Sequence, residues 1–258
     1  MATWSTRRKF IYGGSLVAVG SAIIFGIFFS LFYKAPTCND GIKNGKEQDV
    51  DCGGTCIKLC QSAFLPARIE WGGAKFEKVA DGLYNAASYV VNPNTNGAAL
   101  QVPYKFSLYD NQGILIAERE GVLAIPAHRN TLAFESAIST GKRIPVKATF
   151  EFLRTPQWFK SHDTLDGLAV IEKKYNEDEK SSSLEVMLEN RNLTAYKKII
   201  VNVVLYDING NAIGFSRTNI DEIAPNGGRE MAPFTWPMSR GGRVVSVEVL
   251  PETIPVRD

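Results

Sequence analysis

The hydrophobic pattern of the chain changes twice along its length. Phe10 to Tyr33 is a run of 24 positions without a charged side chain. As a helix it would be about 36 Å long at 1.5 Å per residue, against a hydrocarbon core of roughly 30 Å. From Pro66 onward the pattern is short stretches of alternating apolar and polar side chains, broken by Gly, Pro, Asn and Asp. That alternation predicts many short strands in a sandwich or barrel, and no long amphipathic helix. Between the two regions lies Cys38 to Cys60, which has too few apolar residues to build a core of its own.

Arg7, Arg8 and Lys9 precede the apolar run and no acidic residue does, which places residues 1–9 in the cytoplasm by the positive-inside rule. A cleavable signal peptide would have a shorter apolar region ending in small residues. This one closes on Leu31-Phe32-Tyr33. Ala35-Pro36-Thr37 ahead of Cys38 is unlike a lipobox. The expectation is an uncleaved signal anchor over 10–33, with the rest of the chain outside the membrane.

The four cysteines, Cys38, Cys52, Cys56 and Cys60, follow at once with the spacing C-x13-C-x3-C-x3-C. In an oxidising compartment two disulfides are the economical reading, with three pairings open. A four-thiolate zinc site is the alternative, and the compartment argues against it. The same segment carries Asp40, Asn44, Glu47, Asp49 and Asp51 among glycines. These are oxygen donors suited to calcium, although Asn-Gly and Asp-Gly also simply make turns.

An internal repeat runs through the β region. Tyr89 to Asn94 lines up with Val186 to Arg191 at an offset of 97, and YKFSLYDNQG (104–113) with VNVVLYDING (201–210) at the same offset. Glu151-Phe152-Leu153 falls opposite Glu248-Val249-Leu250, and the second copy has gained about two residues near Pro225. The expected units are 64–154 and 164–258, joined by 155–163. In the repeated hairpin, Tyr104, Phe106 and Leu108 share one strand face, as do Val201, Val203 and Leu205. Tyr109 and Tyr206 point the other way, where a phenol could pack with its hydroxyl wet. Asp110 and Gly113, and Asp207 and Gly210, supply the turn.

Two resemblances attach to these motifs. C-x-D-G-x-x-N-G-x-E-x-x-V-D-C-G-G-x-C, from Cys38 to Cys56, resembles a short cysteine-rich repeat of extracellular proteins, with three rather than two residues before Cys60. Phe106-Ser107-Leu108-Tyr109-Asp110 with the upstream Val91-Asn92-Pro93-Asn94 resembles FxLYD and late-embryogenesis-abundant-like domains of immunoglobulin type. The second copy departs at Val203 and reads Glu-Asn-Arg-Asn at 189–192. The resemblance implies an all-β fold class: two tandem immunoglobulin-like β-sandwiches behind a single transmembrane helix and a small disulfide-rich segment. It also implies an extracytoplasmic setting without an assigned chemistry.

Charge sharpens this only by exclusion. The chain has 29 basic and 27 acidic residues, but four of the basic ones lie in residues 1–34, leaving 25 against 27. A nucleic-acid partner reached through a global positive field is excluded. No P-loop, dinucleotide-binding, zincin or nucleophile-elbow motif occurs, and the two histidines, His128 and His162, sit in polar contexts that suit the surface. Asp178 and Glu179 fall in a polar loop. No catalytic residue and no cofactor other than calcium is expected. Trp158 and Phe159, in the joint, would either wedge the sandwiches together or anchor a partner, and Trp236 would pack at a core or edge. The expected function is a membrane-anchored binding or structural module of the cell envelope, meeting an envelope protein or polymer. The alternatives are a non-catalytic subunit of a larger envelope complex, a sensor, for which nine cytoplasmic residues leave no signalling domain, or an enzyme.

Overall fold

A computed structural model describes residues 4–33, 35–178, 181–237 and 242–255. Lys34, Glu179 and the final positions 256–258 of the second expected unit lie outside the described residues. Helix α1 (Trp4–Phe32) contains a 22-residue stretch, Ile11–Phe32, with mean hydropathy 2.3 and none of it buried within the molecule. Apolar side chains cover it on all sides, as in a helix that faces lipid rather than a protein core. It is long and apolar enough to span a membrane.

The remainder is β-structure in two halves. The first holds β1 (Arg68–Ile69), β2 (Lys75–Ala80), β3 (Leu83–Val91), β4 (Gly97–Tyr109), β5 (Leu115–Ile125), β6 (Thr131–Ser139), β7 (Lys147–Phe152) and β8 (Trp158–Lys160). The second holds β9 (Leu168–Glu177), β10 (Ser181–Asn190), β11 (Tyr196–Tyr206), β12 (Ala212–Ile223), β13 (Gly228–Pro237) and β14 (Ser246–Glu252). All pairings between these strands are antiparallel. In the first half, β3 runs between β2 and β6, and β4 between β5 and β7. In the second half, β10 runs between β9 and β13, and β11 between β12 and β14. Both halves therefore pair six corresponding strands in the same order. Each encloses its own core: Val90, Tyr104, Phe106, Leu108 and Ile125 in the first, Leu188, Val201, Val203, Leu205 and Phe234 in the second. The inward faces expected for the hairpin strands are the buried ones.

The hydrogen bonds align the two halves differently from the expected offset. Asn92 donates through Nδ2 to the carbonyls of Gly97 (2.8 Å) and Pro126 (2.7 Å), and its Oδ1 accepts from Asn94 N (2.9 Å). Asn190 donates to Thr194 O (2.8 Å) and Ile223 O (3.1 Å) and accepts from Asn192 N (2.9 Å). These asparagines do the same work, tying the β3–β4 loop to the end of β5 and the β10–β11 loop to the end of β12. Asn92 thus corresponds to Asn190 rather than to Glu189, so the offset of 97 does not hold in this strand. At the other end, Glu151 pairs with Lys105 while Leu250 pairs with Asn202, so Glu151 corresponds to Leu250 and not to Glu248. The two residues gained near Pro225 account for that shift.

Both hairpin turns close as expected. Asp110 Oδ1 accepts from Gln112 N and Ile114 N, and Asp207 Oδ1 from Asn209 N and Asn211 N. Gly113 and Gly210 adopt φ of 74° and 76°, a region that a Cβ disfavours.

Candidate functional site

The cysteine segment is bridged Cys38–Cys56 and Cys52–Cys60, and no cysteine is free. Its acidic residues serve the backbone. Asp51 accepts from the N–H groups of Asp40 and Gly41, Asp40 from Thr37 N, Ile42 N and the Asn44 amide, Glu47 from Asn44 N, and Asp49 from Val50 N. The Asn44 amide, followed by the Ile42 N–H, holds the Asp40 carboxyl below its ordinary value. Four of the five calcium candidates, Asp40, Glu47, Asp49 and Asp51, are thus distributed around turns as caps, the role that short polar side chains take where the chain has few other acceptors. The Asn44 amide donates to Asp40, and its Oδ1 is buried without a hydrogen-bond partner among the described residues. Glu47 also approaches the Cys38–Cys56 bridge, 3.5 Å from Cys56 Sγ. Sulfurs joined in a disulfide offer no thiolate, so this trio is not a metal centre.

The knot is bonded to the first sandwich. Leu59 N donates to Trp158 O (3.4 Å) and Lys160 N to Ile57 O (2.8 Å), so residues 57–59 extend the sheet beyond β8. Lys160 Nζ reaches Gly54 O (3.3 Å), and the Asn94 amide exchanges hydrogen bonds with the backbone of Leu65. The segment expected to be a linker therefore contains a strand of the first sandwich, since β8 pairs with Gly97–Ala99 of β4.

That placement corrects both expectations for the aromatic pair. Trp158 is 2% exposed, packs in the first core and stacks on Phe64 at 5.8 Å. Phe159 is 4% exposed and packs with Ala98 and Ala127. Neither lies between the sandwiches and neither is open to a partner. Strand addition alternates the two side chains onto opposite faces of β8, and both faces are covered. Trp236 is in the second core, stacked on Phe234, with its Nε1 donating to Phe215 O (3.2 Å). A crevice of about 420 Å³ lies between the knot and β8, with Thr55, Lys58 and Gln157 in its lining. Among the described residues its lining also includes Cys38, Asn39, Ile57, Trp158 and Phe159.

What joins the halves is a face that the sequence did not single out. Ala87 and Tyr89 of β3 and Leu132 and Phe134 of β6 pack against Val204 of β11 and Phe215 of β12. Strands β3 and β11 are consequently buried on both faces. Polar groups are enclosed in the same joint. Tyr89 and Tyr206 both donate to the Glu248 carboxylate, at 2.6 and 2.8 Å, so the Tyr206 hydroxyl is bonded rather than wet. Burial, then the bond to Glu248, raises both phenols above their ordinary range. Arg217 donates to Asn202 Oδ1 (2.8 Å) and to the carbonyls of Leu132 (2.8 Å) and Phe134 (3.5 Å). Glu252 accepts from Thr131, Leu132 and Asn202.

A second pin crosses the joint region. Arg129, ahead of β6, bonds Asp163 Oδ1 (2.6 Å) and Leu165 O (3.1 Å). Burial alone would raise the Asp163 carboxyl, but the Arg129 guanidinium and the Leu165 N–H together hold it below its ordinary value. Asp163 Oδ1 is thereby engaged by Arg129. His128 and His162 are both exposed, and Asp178 caps the turn into Ser181.

No family model and no curated protein matches the chain. Among solved structures it is similar to a red sea bream transglutaminase (TM-score 0.23, 11% identity, 73% of this chain and 29% of that one). A putative β-galactosidase from Bacteroides fragilis gives a TM-score of 0.20 at 16% identity, over 67% of this chain and 32% of that one. The calcium binding domain CBD12 of CALX1.1 gives 0.19 at 12% identity, over 66% of this chain and 75% of that one. The chain thus spans about a third of the first two. At these scores none carries an argument about activity.

Proposed function

We propose that the chain is a single-pass, membrane-anchored binding or structural module of the cell envelope. Its N-terminus is cytoplasmic, its FxLYD-type sandwiches are extracytoplasmic, and it performs no catalysis. The observation that supports this reading is the continuity of packed and bonded junctions beyond the helix. Two disulfides hold the knot, backbone hydrogen bonds tie residues 57–59 to β8, and an enclosed joint holds the second sandwich to the first. Such a chain presents its loops and strand edges to an envelope protein or polymer.

The alternative, a non-catalytic subunit of a larger envelope complex, draws on one further feature. Ile114, Leu115, Ile144 and Val146 are all exposed near the far end of β4, the end opposite the knot. Grouped exposed apolar side chains of this kind suit a protein partner.

A membrane-impermeant maleimide tests the orientation through Asn209→Cys, an exposed turn position of the second sandwich. Labelling in intact cells is expected; labelling only after permeabilisation would overturn the topology. Cross-linking at the membrane followed by pulldown is expected to recover an envelope component. Recovery of a fixed stoichiometric set would favour the subunit reading.

A further inference from the structure

In the joint between the sandwiches, both halves bury the acid Glu252. Glu252 ends β14 and is 6% exposed. Its Oε1 accepts from the Thr131 hydroxyl (2.6 Å) and Leu132 N–H (3.2 Å) of the first sandwich, and from the Asn202 amide (2.8 Å) of the second. Arg217 on β12 is the cation that bears on it, yet no ion pair joins them among the described residues. The guanidinium instead bonds Asn202 and the Leu132 and Phe134 carbonyls.

Other charged and titratable groups on the packed elements are engaged elsewhere or exposed. Glu135 on β6 binds Tyr104 and Arg119, Arg129 ahead of β6 binds Asp163, and Glu248 on β14 accepts from Tyr89 and Tyr206. Lys197, Lys198, Asp221 and Glu222, on β11 and β12, face solvent.

Burial pushes the Glu252 carboxyl up to about 7, against the donors and Arg217 that pull it down. That burial depends on closure, because Thr131 and Leu132 belong to the other sandwich. In an opened joint the carboxyl regains water and its ordinary value of 4.5. We propose that the joint is a proton-coupled hinge, in which Glu252 takes up a proton as the two sandwiches close. The closed form binds the proton more tightly, so closure is fully favoured below the open-state value. It weakens as pH rises through the window from 4.5 to about 7 and stays at its weaker level above that. Inside the window the closure constant falls about tenfold per pH unit, and on the order of a hundredfold in all.

The Leu132 amide reports closure directly, since its hydrogen-bond acceptor is Glu252 itself. In the full chain in nanodiscs, hydrogen exchange at Leu132, corrected for intrinsic pH dependence, is expected to lose protection across the window from 4.5 to about 7 by that factor. The Glu252 carboxyl carbon should titrate near neutrality by NMR. E252Q keeps the acceptor oxygen and cannot titrate, so its Leu132 protection should be flat with pH. Flat protection in the wild type, titration of Glu252 at an ordinary carboxylate value, or an unchanged pH profile in E252Q would each overturn the proposal. The first two need no variant to fold.

Discussion

Replacing Asn92 tests how the paired asparagines hold each sandwich. Asn92 is 8% exposed and makes four hydrogen bonds: two donated to the Gly97 and Pro126 carbonyls and two accepted from Asn94. Asn92→Ala leaves both carbonyls and the Asn94 N–H without partners. Each such orphan costs about 1–3 kcal/mol, and allowing for partial hydration of the space left behind, the loss should be roughly 3–4 kcal/mol. Asn190→Ala removes the corresponding bonds to Thr194, Ile223 and Asn192, and a loss of about the same size is expected. Asn92→Asp separates hydrogen bonding from shape. It keeps the acceptor facing Asn94 but turns an oxygen toward the two carbonyls, so at neutral pH it should cost more than Asn92→Ala. A carboxyl in that site has its pKa raised, so the folded state regains stability as pH falls through the raised value and the acid supplies one O–H donor. Urea unfolding of the detergent-solubilised chain, followed by circular dichroism at neutral and acid pH, measures all three variants. An Asn92→Ala midpoint within about 0.5 kcal/mol of wild type would refute the reasoning. So would an Asn92→Asp variant more stable than Asn92→Ala at neutral pH.

Leu108→Asp and Leu205→Asp each place an unpaired carboxylate in a fully buried site, and each should cost several kcal/mol in thermal or denaturant unfolding. Alkylation of the unreduced chain should label no cysteine, and peptide mapping should recover Cys38 linked to Cys56 and Cys52 to Cys60; any other linkage would contradict the knot. Gly54 has φ +60° and a Cβ there would collide with the Lys46 carbonyl, so Gly54→Ala should yield mixed disulfides or free thiols on mass analysis.

Several elements were readable from local sequence because their causes are local. The charge-free run of α1 needs no partner to be recognised. The Asp and Gly of the two hairpin turns act within five residues, and period two on β4 and β11 assigns the core face wherever one face is buried. The same reading equated Glu151 with Glu248, because short apolar–acidic triplets recur by chance and only strand register distinguishes them. Trp158 and Phe159 were assigned to the joint because Pro and polar neighbours surround them in sequence. Their burial follows from strand addition to β4, some sixty positions earlier.

Sequence by itself therefore determined an apolar helix, an all-β remainder and the core-facing positions of its hairpin strands. The tertiary structure decided which cysteines meet, that the knot continues the first sheet, and that β3 and β11 are buried on their second faces. It also decided the environment of Glu252. In sequence Glu252 is an acid beside Pro251, near the end of the chain. It becomes a buried, proton-binding group only because Thr131 and Leu132, over a hundred residues away, close over it. Desolvation is a property of what surrounds a side chain in space, and no local pattern encodes it.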